Sequence, residues 1–498
     1  MEHSENGGHD RRRFLAYSGA AAAAVIGFDA LASRWVTPAT AQGTFDGVPP
    51  LDGTLTVGPD VPADDAHDQG NIVFRRPAAV LRPRSTRDVA RMVAFCARHG
   101  IEVAARGAGH SVFGQGLVTG LLIDMRSLRT IHSIGAGGAD VDAGVLWRDL
   151  LVQAFHQARL TPPVLTGYVG LTVGGTLAVG GVDGNTGVFN QGLQTDHVRS
   201  LEVVTGSGDI VRCSPHAHRE LFEAVLGGLG QFGIVTRATV DLAPAKPMVR
   251  VYRIHYTAAR PFFRDLRVLL DRGEVDGVYN LWMPNGTTLL YELTAFAYFD
   301  PAHPPDDRTL LRGLGAEAAL PITVDLPYLT ATQFVDDFFI APMQTALGWD
   351  RLVKPWFDVW LPDDTVEQFV EHTLSELGPD DVGPGGFVLL IPQRRSAITR
   401  PFVRVPTPRT SDWIYLFDLL SASLTPNPDP GFAQRKLARN RRLYDRAVAA
   451  GGTRYPISAI EFGRRDWQAH YGDAWPRFTA LKRRYDPHGI LTPGVGIR

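Results

Sequence analysis

The sequence predicts an α+β protein built from more than one domain. Its 498 residues suggest about two or three domains at ordinary domain sizes. Up to about residue 246, three glycine clusters punctuate short strand-like and helix-like runs; from about Pro247 to Ala450 the clusters stop and aromatic residues increase. In that later stretch, strand-like runs (Val249 to Tyr256, Thr288 to Tyr298, Phe387 to Ile391, Trp413 to Leu419) alternate with helix-like ones (Phe262 to Leu270, Asp364 to Leu377). Such alternation is the pattern of an α+β unit on an antiparallel sheet.

Composition narrows the function classes. At 44% hydrophobic and 20% charged, the chain has the balance of an ordinary globular protein. A formal net charge of −2 gives no electrostatic case for nucleic acid or an anionic membrane surface. Two cysteines, Cys96 and Cys213, exclude a disulfide scaffold and a cysteine-rich metal site, and leave one disulfide between them open. No metal site is expected.

The N-terminus reads as an address. Arg11-Arg12-Arg13-Phe14-Leu15 matches the twin-arginine pattern, an alanine-rich stretch from Ala16 to Leu31 follows, and Ala39-Thr40-Ala41 offers a small-residue cleavage site. The apolar stretch is short and weakly hydrophobic for a bilayer span. The expectation is a signal peptide over 1–41 and a periplasmic or secreted protein with no stable membrane span; an uncleaved N-terminal anchor is the alternative. The twin-arginine route carries folded proteins, which suits a protein that acquires a cofactor before export.

From about Gly43 to Gly70 the chain is rich in Gly, Pro and Asp and reads as loop. Pro77-Ala78-Ala79-Val80 is a strand candidate. Ser85 or Thr86 can cap a helix from Arg87 to His99, whose Val89, Met92, Val93 and Cys96 recur at helical spacing, so Cys96 reads as a buried helix residue. A strand over Ile101 to Val103 then opens into Ala105-Arg106-Gly107-Ala108-Gly109-His110-Ser111, continuing to Gly116. Gly107 and Gly109 let main chain approach a ligand closely, and successive bare N–H groups form a nest suited to a pyrophosphate. His110 faces whatever that loop holds. The next element reads as a strand, Leu121 to Asp124, whereas a Rossmann fingerprint opens a helix, so that class is disfavoured.

Val141 to Val145 and Trp147 to Ala158 read as strand and helix. The second cluster, Thr172 to Gly181 with Gly184 and Gly187, puts many glycines in a helix-like stretch, at about 1 kcal/mol each relative to alanine. Main chain lying against a flat or bulky ligand accounts for that, as does tight helix packing. Gly206-Ser207-Gly208 joins two strands as a hairpin; a helix from Glu220 to Val225 leads to the third cluster, Gly227 to Gly233, and a strand over Ile234 to Val240.

These clusters, in this order, resemble the flavin domain of the vanillyl-alcohol-oxidase or PCMH-type FAD oxidoreductases, and within that group the chain is most similar to cytokinin dehydrogenases. The matching residues are Gly109-His110-Ser111 with Gly114-Gln115, Leu171 to Leu177, Glu220-Leu221-Phe222, Val225 through Ile234 and Thr236-Arg237-Ala238. Trp356, Leu361 and Pro362, and near the end Arg484-Tyr485-Asp486-Pro487, Ile490-Leu491 and Pro493-Gly494, match further on. The resemblance implies a two-domain fold: a PCMH-type FAD-binding domain over 42–246, an α+β substrate domain over 247–450, and a segment over 451–498, with Trp467 to Arg498 packing on the cofactor side. It implies FAD attached through an 8α-histidyl bond at His110. Arg106, Gly107, Ala108, Gly109, Ser111, Gln115, Thr172, Gly175, Val182 and Ile234 would contact it. Pro163 to Gly175 contains no cysteine, so a single attachment is expected.

The implied reaction is hydride transfer to the flavin from a C–H beside N or O of a small amine or alcohol, with oxygen or a quinone-like compound as electron acceptor. A sugar or oligosaccharide oxidase of the berberine-bridge-like type and a non-catalytic flavin-binding protein are the alternatives. The chain departs from the resemblance at three places. Gly167 stands where the family has an aspartate before the tyrosine, Tyr279 stands near where it has a second acid, and Val495 ends its P-G-Q. Tyr168 and Glu461 are then the candidates for taking the heteroatom's proton, with Asp183 and His197 as weaker ones.

Overall fold

A computed structural model describes residues 27–29, 34–36, 45–182, 191–282, 284–285, 288–426 and 429–497. The twin-arginine pattern, the Ala39-Thr40-Ala41 site, Asp183, Gly184 and Gly187 lie outside the described residues. The stretch read as loop before Gly70 contains a strand, β1 (Thr54–Val57), because its alternating Thr and Leu or Val suit a half-buried edge. It pairs antiparallel with β2 (Ala79–Arg82). Helix α1 (Thr86–His99) follows; the Ser85 hydroxyl accepts from the Asp88 N–H, and Gly100 ends the helix in the left-handed region. Val89, Met92, Val93 and Cys96 form its buried stripe. Cys96 and Cys213 are both free and buried, so the disulfide left open by the sequence does not form.

Strand β3 (Val103–Arg106) and β4 (Leu121–Asp124) pair in parallel, giving a first sheet in the order β1-β2-β4-β3. The glycine loop is the connection between them. Next come β5 (Ile131–Gly135), β6 (Gly138–Asp142), helix α2 (Trp147–Ala158) and a one-turn helix α3 (Val173–Leu177). A second, antiparallel sheet adds β7 (Val198–Val204), β8 (Ile210–Cys213) and, after helix α4 (Arg219–Val225), β9 (Ile234–Val240), in the order β8-β7-β9-β6-β5.

The rest of the chain holds two larger antiparallel sheets where the sequence pattern suggested one. The first contains β10 (Met248–Tyr256), followed by helix α5 (Ala259–Arg272) and β11 (Gly277–Val278); the second begins with β12 (Asn280–Trp282). Adding β13 (Tyr291–Phe299) and β14 (Ile322–Pro327) makes a sheet in the order β11-β13-β10-β14. The other sheet is built from β12, β15 (Phe357–Pro362), β16 (Phe387–Arg394), β17 (Trp413–Leu420) and β18 (Thr453–Arg454), in the order β12-β16-β17-β15-β18. Helices α6 (Asp363–Ser375) and α7 (Pro430–Ala449) pack on it.

The C-terminal segment then returns to the first half. Helix α8 (Arg464–Tyr471) leads to α9 (Trp475–Tyr485), whose Arg477 and Arg484 pair with Glu223 and Glu220 of α4. Beyond α9, the Val103 N–H donates to Ile490 O and the Thr492 N–H to Val103 O, each at 2.8 Å. The buried Asp486 carboxylate accepts from the Ile490 and Leu491 N–H groups and fixes that return. Among the described residues no helix is long and apolar enough to cross a membrane.

Candidate active site

The three glycine clusters and one face of the β12-β16-β17-β15-β18 sheet enclose a cavity of about 330 Å³. Arg106, Gly107, Ala108, Gly109, His110, Ser111, Gln115, Thr172, Gly175, Val182, Ile234 and Tyr168 all line it. Glu461 does not. It is exposed and outside the lining, so its nearness in sequence to Trp467 does not bring it to the cavity and it is withdrawn as a proton acceptor. The His197 ring lies outside the lining too, bonded to Gln191 O.

The loop after β3 is held by a residue the sequence reading passed over. Asp68 is buried, and its carboxylate accepts from the Ser111 hydroxyl (3.0 Å) and from the Gly114 (2.7 Å) and Gly70 (3.2 Å) N–H groups. Burial pushes its carboxyl up to about 6, against the pull of those hydrogen bonds and the Arg106 charge. The Gln115 amide locks the other end: its Nε2 donates toward Pro456 O (3.1 Å), Ile457 O (3.0 Å) and Ser458 O (3.3 Å). Gly107 lies so close to Thr172 that a Cβ there would fall 1.9 Å from the Thr172 hydroxyl oxygen. Among the described residues, none of the main-chain N–H groups of Ala108 through Ser111 donates to a protein acceptor. Arg106 Nε is buried without a partner as well. This is the donor set a pyrophosphate requires, so the residues present fit FAD. Leu229 and Thr492, both non-glycine residues at positive φ (56° and 50°), also border the cavity, where strain of that kind concentrates.

His110 sits with its ring centroid 5.1 Å from Tyr168, stacked, and 5.3 Å from Trp356, edge-on. Burial, reinforced by the positive charge of Lys354, pushes its imidazole down to about 4. At neutral pH the ring is therefore uncharged and keeps a nitrogen lone pair. Lys354 is itself fully buried, donating to Trp349 O (2.7 Å) and Leu352 O (2.8 Å). Burial lowers its ammonium to about 7.

The two positions where the resemblance expected acids meet across the cavity. A Cβ on Gly167 would stand 3.0 Å from the Tyr279 hydroxyl, so the tyrosine occupies the space a carboxylate at 167 would need. Tyr168 lines the same region, and burial together with the charge of Asp336 raises its phenol above the ordinary value. A phenol so held keeps its proton at neutral pH and is able to donate a hydrogen bond. Asp336 supports it by accepting from the Val169 N–H at 3.0 Å.

Two further cavity-lining acids escaped the sequence reading. Asp358 of β15 and Asp418 of β17 are direct register partners, and their carboxyls share a hydrogen bond. Burial pushes both carboxyls far up, and the charge of Asp358 pushes Asp418 further. Each stands alone as an acid in an apolar strand, Phe-Asp-Val-Trp-Leu-Pro and Trp-Ile-Tyr-Leu-Phe-Asp-Leu-Leu. That was the available signal.

Comparison with known proteins agrees with this geometry. A family model described as FAD binding domain matches residues 77–214, and one described as cytokinin dehydrogenase 1, FAD and cytokinin binding matches 278–498. The chain is 38% identical over 441 residues to an uncharacterized oxidoreductase, ORF5 of the fasciation locus in Rhodococcoides fascians, covering 86% of this chain and 97% of that one. It is 32% identical over 479 residues to cytokinin dehydrogenase 1 of Arabidopsis thaliana, covering 87% and 81%. Cytokinin dehydrogenase 8 of Oryza sativa subsp. indica is 33% identical over 487 residues, covering 87% and 90%.

Proposed function

Since this chain belongs to the FAD-dependent oxidoreductase family that includes the cytokinin dehydrogenases, we propose that it holds FAD covalently on His110 and oxidises small amines or alcohols at the C–H beside the heteroatom. FAD, when bound, supplies the two-electron acceptor that takes the hydride. The observation that carries the covalent reading is the place of His110: an uncharged imidazole inside the glycine loop, facing the cavity between Tyr168 and Trp356. Arg106 to Ser111, Gln115, Thr172, Gly175, Val182 and Ile234 would hold the dinucleotide, with the unsatisfied N–H groups of Ala108 through Ser111 at its pyrophosphate.

The PCMH-type division, a FAD-binding domain over 42–246 and a substrate domain over 247–450, is supported by two family matches that fall on either side of it. The substrate reading is supported by the sheet face, where Phe387, Leu389, Ile391, Leu416 and Leu420 line the cavity. That lining suits a small molecule with an apolar body better than a sugar. Gly167 and Tyr279, in place of two acids, set this pocket apart from the resemblance at the substrate's polar end. Export rests on Arg11 to Leu15 and the alanine-rich stretch after it, and the electron acceptor is oxygen or a quinone-like compound.

The test is anaerobic reduction of the purified yellow protein against a mixed panel of amines, alcohols and sugars. Bleaching by amines or alcohols is expected. Bleaching by sugars alone, or by no donor while the flavin stays bound, would sink the reading.

A further inference from the structure

The Asp358–Asp418 pair has no structural task that its neighbours reveal. Asp65, Asp68, Asp88, Asp124, Asp265, Asp336 and Asp486, the other buried aspartates described, each accept from an arginine, a lysine or a main-chain N–H. Asp358 and Asp418 are 1% and 5% exposed, yet among the described residues no such donor reaches either carboxylate; the Ser458 hydroxyl meets Asp358. Among the described residues, Asp358 Oδ2 and Asp418 Oδ1 are buried with no donor beyond the pair itself. The nearest cation, Arg454, gives Nη2 to Ser458 O at 3.0 Å and lays its guanidinium over the Phe462 ring at 4.2 Å, so it acts on Asp358 only through space. Burying two acids so is costly, and the cost persists where a bound partner repays it.

The surroundings indicate what partner that is. Both carboxyls stand on the apolar sheet face, beside Leu389, Leu416 and Leu420. Asp358 lies two residues beyond Trp356 on the same side of the chain, about 7 Å along the strand. Trp356 in turn touches the His110 ring. Two carboxyls sharing one proton retain one negative charge and expose two acceptor oxygens, the complement of a cationic nitrogen bearing at least two N–H groups.

We propose that Asp358 and Asp418 together bind the protonated primary or secondary amine of the substrate and take its proton, standing in for the acids missing at 167 and 279. This rests on the reading of the cavity as the substrate pocket of an FAD oxidoreductase, and it narrows the substrate class to amines. An ammonium N–H bond breaks and its proton passes to a carboxylate oxygen, leaving a neutral amine. The lone pair so freed forms the C=N bond as the adjacent C–H surrenders its hydrogen and electron pair to the flavin, the oxidant the family supplies. The iminium carries the positive charge away. The titratable neighbours of the pair are Arg454 of β18 and Tyr455 next to it; the adjacent cavity-facing residues of β16 and β17 are leucines.

The experiment uses holoenzyme and two unreactive probes, cumylamine and cumyl alcohol, which have the same shape and no hydrogen on the carbon beside the heteroatom. Binding is followed by calorimetry and by the flavin absorbance. The amine is expected to bind more tightly than the alcohol. Its affinity should rise with pH as the pair gains its charge and fall again as the amine loses its own. Asp418→Asn and the double variant Asp358→Asn/Asp418→Asn should lose about tenfold or more in amine affinity. Alcohol affinity and flavin content should be retained, and the melting temperature should not fall. An infrared band of a protonated carboxyl should be present in the wild type and absent from the double variant. Equal amine affinity in wild type and double variant, or no preference of the wild type for amine over alcohol, overturns the proposal. If amines reduce the flavin and the variants still bind cumylamine normally, the pair is wrong and the oxidase reading survives. If no donor reduces the flavin but cumylamine binding depends on the pair, the reverse holds.

Discussion

His110 remains uncharged at neutral pH because its surroundings are dry and Lys354 stands nearby. Replacing it by alanine removes the proposed attachment point but leaves the N–H nest, so His110→Ala should fold and bind FAD, then release it on acid precipitation, whereas wild-type pellets should stay yellow. A wild-type tryptic peptide containing His110 at its unmodified mass in fully loaded protein would refute the bond. Burial holds both thiols up at about 12, so Cys96 and Cys213 should resist a thiol reagent until the chain is unfolded. The carboxyl pair makes a prediction with a definite sign. Its folded-state values lie above the ordinary 3.8, so the stability it contributes is complete below that pH and is lost as pH rises toward and through the raised values. Asp358→Asn/Asp418→Asn should therefore melt with the wild type in acid and above it at neutral pH, by about 1 °C for each kcal/mol relieved. Residues whose neighbours are close in sequence were legible: His110 and Gln115 come from one loop. Asp358 and Asp418 were not, because 60 positions of chain separate two acids that only strand register brings together. Glu461 failed for the opposite reason, since closeness to Trp467 along the chain said nothing about which side it would face.

Among the elements, helix α3 shows that one glycine cluster serves two ends. A Cβ on Gly174 would fall 2.7 Å from the Ala143 Cβ, and the Gly174 N–H donates to Ala143 O, so this glycine lets the helix pack against the residue following β6. Gly175 borders the cavity, and a Cβ there meets only the Thr172 hydroxyl at 2.8 Å. Gly174→Ala should lower stability by about 1–3 kcal/mol through overpacking. Gly175→Ala gains about 1 kcal/mol of helix propensity but must push the buried Thr172 hydroxyl aside, so it should lose less stability than Gly174→Ala, yet hold less FAD. Thermal melts and the flavin-to-protein absorbance ratio of the two variants separate these roles. Of the two explanations offered by the sequence for the clustered glycines, tight packing applies to Gly174, and Gly175 stands on the cavity wall. The periodic elements were legible at this scale: β9 runs from Ile234 to Val240 as its pattern predicts, and Ser85 caps α1. Strand β1 was hidden because Gly, Pro and Asp around it outweighed four alternating residues.

At the scale of the molecule, one hydrophobic core runs through both halves, and side-chain amides of the first half reach the C-terminal segment. Gln115 reaches from the glycine loop to three carbonyls in 456–458, and Gln231 Nε2 donates to Thr492 O at 3.0 Å. Gln115→Ala deprives Pro456 O and Ile457 O of this donor and leaves Ser458 O to Arg454 Nη2. Hydrogen exchange and limited proteolysis around 455–458 should increase while the four sheets keep their protection; unchanged exchange there would show that the amide is incidental. The return of the chain end was legible from its matching motifs. The register that places Leu491 beside Val103 was not, since nearly the whole chain intervenes and nothing local encodes the pairing. That late partner carries a consequence for biosynthesis. Thr492 and Val495 are walls of the cavity, and they are made long after the glycine loop they enclose it with. A nascent chain therefore has no finished receptacle to fill until these residues have emerged from the ribosome.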